Sequence, residues 1–378
     1  MVNINNQKPK IALILTGGGA RAAYQVGLLK AIKTILPRNH KSPFDIICGT
    51  SAGSINATQL ACYASCYHLG VKKLEWAWKH FTTQQVYHCD FRRVFGHILR
   101  HFLSNFQSDY ATQKPGSLFD NQPLGVLLNR ILDLSRIDRN IHGNYLDALC
   151  ISASSYTDGD SISFFQADHK NDWSRAKRKG VSTDILIEHL LASSAIPLVF
   201  PPVKIKQEYY GDGSVHQLSP LSPAIHLGAN KIFIIGVDQP EETKFYGQSH
   251  RHPGVPYITG HLLDTIFSDT LSADVERMER VNKTLALIPD ANRATDLKPI
   301  ESMMINPSHD FNSIAREHYF DLPMAIRWLL KVVGINKHTD SSLVSYLMFE
   351  GSYTQQLIKL GYHDGLEQLD EIKDFLEL

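Results

Sequence analysis

Cysteine is scarce in this chain: five residues, Cys48, Cys62, Cys66, Cys89 and Cys150, with no Cys-x-x-Cys among them. An odd number of isolated thiols argues against a disulfide-stapled secreted domain and predicts a reducing compartment. Cys62 and Cys66 fall one helical turn apart, but no second Cys/His pair completes a zinc site, so core thiols are expected. Net charge is missing as well, with 38 Lys plus Arg against 38 Asp plus Glu. That balance excludes a global polycation and gives no reason to expect a nucleic-acid partner. No stretch approaches the ~18 apolar residues of a membrane span. Ile11–Leu15, although preceded by Lys8 and Lys10, is too short for the apolar region of a signal peptide. The expectation is a cytoplasmic protein without signal peptide or transmembrane segment, any membrane contact being peripheral. Internal repeats and low-complexity tracts are also lacking. What remains, 43% apolar and 20% charged residues over 378 positions, supports a sizeable core.

Ile11–Leu15 is a wholly apolar run entering Gly17-Gly18-Gly19, which predicts a buried parallel strand and a glycine turn. Residues 20–36 then show helical spacing at Ala23, Val26, Leu29, Ile32 and Ile35, ending before Pro37. Phe44–Cys48 reads as a second buried strand, entering Gly49-Thr50-Ser51-Ala52-Gly53 and a helix to about Gly70. Strand, glycine turn and helix, twice over, is the grammar of an α/β fold with a mostly parallel sheet. Further strands are predicted at 146–154, 161–166 and 231–237, and a helix at 184–193. After about 257 the pattern is mainly helical, with joints near 239–256 and 289–308. The predicted organisation is an α/β domain at 8–239 and a helical C-terminal region at 240–378 packed on it.

The pentapeptide 49–53 is a Gly-x-Ser-x-Gly. Alone it is a weak signal, equally an ordinary strand-to-helix turn. Its position between strand and helix is that of a nucleophile elbow, in which Gly49 and Gly53 permit the sharp turn and expose the Ser51 hydroxyl. Gly17, Gly18 and Gly19, at the other strand-to-helix junction, can aim backbone N–H groups at one point, as an oxyanion hole requires. Arg21 either adds positive potential there or anchors the loop. A dinucleotide fingerprint, Gly17-x-Gly19-x-x-Ala22, competes with this reading. It needs an acid at the end of the second strand, whereas Asp45 stands at that strand's beginning. A serine nucleophile needs a base within hydrogen-bond reach. Asp212, between Gly211 and Gly213, is the preferred carboxylate, although Asp-Gly equally marks a plain hairpin turn. Histidines that could complete a triad, His216, His226, His261 and His318, are not singled out by their surroundings.

These motifs resemble the patatin-like phospholipases, bacterial type. GGGARAAYQVG (17–27), GTSAG (49–53), ASSAIPLVFPPV (192–203) and GDGSVHQLSPLSPAIHLGA (211–229) stand in that family's order, and SLFDNQPL (117–124) and LIKLGYHDGLEQLDEI (357–372) extend the match. The resemblance implies a three-layer α/β fold and a lipid acyl hydrolase working through an acyl-enzyme. It implies a Ser-Asp dyad without histidine: Ser51 as nucleophile, Asp212 as base, and the backbone of Gly17, Gly18 and Gly19 as oxyanion hole with Arg21 beside it. No cofactor and no metal enter that scheme. The implied substrate is a phospholipid or another lipid ester. The other readings are a nucleotide-binding Rossmann-like oxidoreductase and a non-catalytic lipid-binding member. One departure is Ser214, where the family has Gly or Ala after Asp-Gly.

Residues 91–106 carry an apolar stripe at Phe91, Val94, Phe95, Ile98, Leu99, Phe102, Leu103 and Phe106. The opposite face holds Arg92, Arg93, His97, Arg100 and His101, with no acid. Such a helix suits either a cap on the core or a membrane interface, which makes Arg92, Arg93, Phe95, Arg100 and Phe102 the candidate membrane contacts.

Overall fold

A computed structural model describes residues 8–89, 117–168, 171–238, 265, 270–288, 297–332, 334–337 and 342–378. A ten-stranded mixed sheet forms the centre. Its strands are β1 (Ile11–Leu15), β2 (Ile46–Thr50), β3 (Ala148–Ser155), β4 (Ser161–Ala167), β5 (Trp173–Arg175), β6 (Arg178–Ser182), β7 (Val203–Ile205), β8 (Glu208–Asp212), β9 (Lys231–Ile235) and β10 (Glu301–Ile305). They run in the order β10-β9-β1-β2-β3-β4-β6-β5, with β8 paired to the end of β3 and β7 to β8. The five strands from β10 to β3 are mutually parallel, with Leu13 opposite both Ile47 and Phe233.

At the centre of the sheet, β1 and residues 232–235 of β9 are continuous apolar runs because both of their faces are covered. Alternation along β1 sends Ile11, Leu13 and Leu15 to one core and Ala12 and Ile14 to the other. The first core is closed by α1 (Ala23–Ile35), α2 (Ala52–Cys62), α3 (Tyr67–His80) and the helix Gly351–Glu367. The second is closed by the helices Ser222–His226 and Thr270–Ala286. The result is three layers with the glycine turns at one end of the sheet.

Several boundaries differ from expectation. The second strand is shifted two residues, and the helix expected to reach Gly70 breaks after Cys62 and restarts at Tyr67. The stretch 289–308, expected as a joint, contains β10, which extends the sheet beside β9. The C-terminal part therefore supplies a strand to the central sheet as well as a helix against α1. No helix among the described residues is long and apolar enough to cross a membrane.

Candidate active site

Strand register brings the two candidate side chains together. Thr50 of β2 pairs with Ser152 of β3, and the next residue of β3, Ala153, pairs with Asp212 of β8. Residues 51 and 212 are 161 positions apart in the chain, yet the Ser51 hydroxyl donates to Asp212 Oδ2 at 2.6 Å. Ser51 sits at the N-terminus of α2 with φ 53°, in the left-handed region that side chains other than glycine avoid. That strain is characteristic of an elbow, but the hydroxyl is not exposed as expected: Ser51 is 1% exposed, because its Oγ turns onto the buried Asp212. Gly53 allows the turn to close, since a Cβ there would overlap the Leu15 carbonyl. Gly49 faces Gly53 and Ser54 in the same turn.

Asp212 is wholly buried. Its Oδ1 accepts from the Ser214 N–H at 2.9 Å, which leaves the other oxygen for Ser51. Burial, only partly opposed by the hydrogen bonds from Ser51 and Ser214, pushes its pKa up to about 6. A carboxylate titrating there is a stronger base than an exposed aspartate and is still ionised at neutral pH. The residue lies at the end of a strand; the hairpin turn is at Lys206–Gln207, between β7 and β8. Ser214 fits the short turn after Asp212 through its backbone, so the departure from Gly or Ala leaves this contact intact. No histidine occupies either described hydrogen-bonding position of Asp212. His226 stacks on Trp173 and His318 pairs with Asp321, while His261 lies outside the described residues.

Side chains that the sequence did not single out fix the elbow. The Ser51 N–H donates to Ser193 Oγ at 2.9 Å, and Ser193 Oγ donates to the Ser152 carbonyl at 2.6 Å. Thr50 Oγ1 donates to Gln217 Oε1, whose amide nitrogen donates to Ser152 Oγ. Ser193 falls within the segment 192–203, where its only signal was membership of a motif.

The Gly17–Gly19 loop follows β1 beside this elbow. Among the described residues no acceptor takes the N–H of Gly17 or Gly18, so these donors remain available. Gly19 adopts φ +56°, and a Cβ on it would run into the Tyr346 carbonyl. A buried polar chain holds the loop. Gln25 Nε2 donates to the Thr16 carbonyl, Asn56 Nδ2 donates to Gln25 Oε1 and the Ala22 carbonyl, and Trp78 Nε1 donates to Asn56 Oδ1 at 2.7 Å. Asn56→Leu is expected to strand three of these groups and destabilise the fold by about 3 kcal/mol or more. Denaturant unfolding checks this, and an unchanged midpoint contradicts it.

Arg21 anchors the loop. Its guanidinium is buried and donates to Ser345 Oγ, the Tyr346 hydroxyl and Asn312 Oδ1, at 2.9–3.1 Å, while lying 3.9 Å from the Tyr346 ring centroid. The side chain thus ties the glycine turn to the C-terminal helices, and the backbone supplies the available donors. The dinucleotide reading loses its acid: Asp45 Oδ2 accepts from the Ile11 N–H, at the start of β1, while the glycine turn follows that strand's far end. One group of ligand-type side chains, His363, Asp364 and Glu367, could approach a metal, but Asp364 already accepts from Tyr24 and Ser308. The candidate membrane contacts Arg92, Arg93, Phe95, Arg100 and Phe102 lie outside the described residues.

A family model described as Patatin-like phospholipase matches residues 13–225. The cGAMP-activated phospholipase of Pseudomonas aeruginosa (strain BWHPSA011 / Pa011) is 27% identical over 205 residues, covering 54% of this chain and 52% of that protein. The chain thus spans about half the length of the curated relative it matches. Among solved structures, human GIVD cytosolic phospholipase A2 is similar with a TM-score of 0.47 and 10% identity, over 100% of this chain and 61% of that one. VipD from Legionella pneumophila is similar with a TM-score of 0.38 and 12% identity, over 97% of this chain and 67% of that one. These two structural likenesses are slight and carry no argument.

Proposed function

From the premise that this chain belongs to the patatin-like phospholipase family, we propose that it hydrolyses lipid esters through a Ser51–Asp212 dyad. The observation that carries the reading is the 2.6 Å hydrogen bond from a strained serine to a buried carboxylate of raised pKa. Asp212 Oδ2 takes the proton as Ser51 Oγ attacks the ester carbonyl, and the loop amides of Gly17, Gly18 and Gly19 receive the oxyanion. One such donor lowers the barrier by about 3 kcal/mol. Collapse expels the alcohol, which takes the proton from Asp212 and leaves an acylated serine. Water, deprotonated by the same carboxylate, then releases the fatty acid.

Incubation with a panel of defined phospholipids, lysophospholipids and glycerides, followed by mass spectrometry of the products, tests this. Free fatty acid is expected, and its absence across the panel, with and without activator, overturns the proposal. The P. aeruginosa relative is by its name cGAMP-activated, so cGAMP is the first activator to add.

The segment 91–106 is proposed as the adsorbing surface. Charge reversal at Arg92, Arg93 and Arg100 is expected to reduce binding to anionic vesicles by about a hundredfold or more, given about 1 kcal/mol per basic residue at such a surface. Unchanged flotation with those vesicles contradicts it.

A further inference from the structure

The helix Met324–Val332 is apolar on two faces. Ile326, Leu329 and Leu330 are buried in the first core. Met324, Trp328 and Val332, spaced four apart on the other face, are 77%, 42% and 63% exposed. Phe320, in the single turn Tyr319–Asp321 before the helix, adds a ring that is 61% exposed. A surface helix ordinarily turns polar residues to water at such positions, so a row of large apolar side chains marks a contact surface. Its charge is of one sign. Residues 322–337 hold Arg327, Lys331 and Lys337 and no acid. At about 100° per residue, Lys331 falls beside Met324 and Arg327 on the adjoining flank. The Arg327 guanidinium and the Lys337 ammonium lie 5.7 and 5.5 Å from the Phe320 ring centroid, at the edge of the apolar surface. Among the described residues none of these three cations has an ion-pair partner within 4 Å. The preceding acid, Asp321, is engaged by Ser352 and His318.

We infer that this face docks on an anionic lipid bilayer. Phe, Met, Trp and Val enter the boundary of the acyl region, while the Lys and Arg stems keep their charges among the headgroups. Charge decides the occupant. A neutral apolar partner leaves three cations uncompensated, and a second copy of the chain brings the same three to the contact. Anionic headgroups compensate all of them. The helix then lies in the plane of the interface, its buried face holding it to the protein. The preceding helix, Phe311–Glu317, carries Asn312, whose Oδ1 accepts from Arg21. The docking face thus adjoins the buried network that anchors the glycine loop. It is separate in sequence from the segment 91–106, and different substitutions test the two.

The test measures binding, so it is independent of whether the protein turns over esters. The full chain carrying Ser51→Ala is floated with vesicles of phosphatidylcholine and phosphatidylglycerol in equal amounts, and with vesicles of phosphatidylcholine alone. Binding to the mixed vesicles is expected to be at least about tenfold tighter, and the difference shrinks as salt rises. Adding Met324→Gln with Val332→Gln, both at exposed positions that leave the core intact, weakens binding to the mixed vesicles by about tenfold or more. Lys331→Gln weakens it by about fivefold. Brominated acyl chains quench tryptophan emission on binding, and Trp328→Phe removes most of that quenching. Sedimentation without lipid reads self-association. Equal binding to both vesicle types, no binding to either, wild-type affinity in the Met324/Val332 variant, or quenching that survives Trp328→Phe overturns the inference. So does a lipid-free dimer that the Met324/Val332 variant dissociates, which assigns the face to a second copy.

Discussion

Ser51→Ala reduces ester hydrolysis by at least about a thousandfold, since removing a serine nucleophile in a comparable dyad or triad costs that much or more. The fold survives. Alanine inherits the same φ of 53°, and the only described side-chain bond it loses is the one to Asp212. An unfolding free energy lower by no more than about 1–3 kcal/mol is expected, the cost of one buried unpaired acceptor. Ser51→Gly separates strain from chemistry. It is equally inactive but more stable than the alanine variant by about 1 kcal/mol, because glycine occupies that backbone region freely. Purified variants assayed for fatty-acid release and unfolded in denaturant give both quantities. Near-wild-type turnover in Ser51→Ala places the nucleophile elsewhere.

Asp212→Asn has a comparable effect on rate and an opposite effect on stability. Turnover falls by at least about a thousandfold, because the amide cannot accept the serine proton. The wild-type protein follows the titration of the carboxylate: kcat/KM rises about tenfold per pH unit to about pH 6 and then levels. The stability argument runs from the same shift. Asp212 holds its proton more tightly when folded, up to about pH 6 against an ordinary value of 3.8. Below pH 3.8 the group is protonated in both states and no penalty exists. Between there and about pH 6 the unfolded chain releases its proton first, so wild-type stability falls as pH rises. The loss totals about 3 kcal/mol, roughly two pH units at about 1.4 kcal/mol each, and is complete above pH 6. Asparagine has no such term. The stability of Asp212→Asn relative to wild type therefore grows by about 3 kcal/mol from pH 4 to pH 7, measured by denaturant midpoints. A difference that stays flat over that interval removes burial as the cause of the raised pKa.

The buried centre of the fold was legible in the sequence because parallel strands covered on both faces are unbroken apolar runs, as in Ile11–Leu15 and residues 232–235. The edges were not. In β10 only Ile305 is fully buried, and β5 and β6 read Trp-Ser-Arg and Arg-Lys-Gly-Val-Ser, without the alternation that marks a half-buried strand. The break between α2 and α3 at residues 63–66 carries no Pro or Gly to announce it. Ser51 was visible from its local frame of strand, glycines and helix. Asp212 was the preferred carboxylate, but its local sequence was evenly balanced with a plain turn; the β2–β3–β8 register is what distinguishes them. Arg21 shows the same limit in reverse: its place beside the glycines was readable, but its partners lie about 300 positions later in the chain.

The central claim is that Ser51, activated by Asp212, becomes covalently acylated. A fluorophosphonate that carries a lipid-like alkyl chain traps that intermediate's analogue, and peptide mass spectrometry locates the adduct. The account predicts a single phosphonylated residue, Ser51, formed rapidly at pH 8, slowed steeply below pH 6 and nearly abolished in Asp212→Asn. Modification of a different serine, or of Ser51 at an undiminished rate in Asp212→Asn, contradicts it.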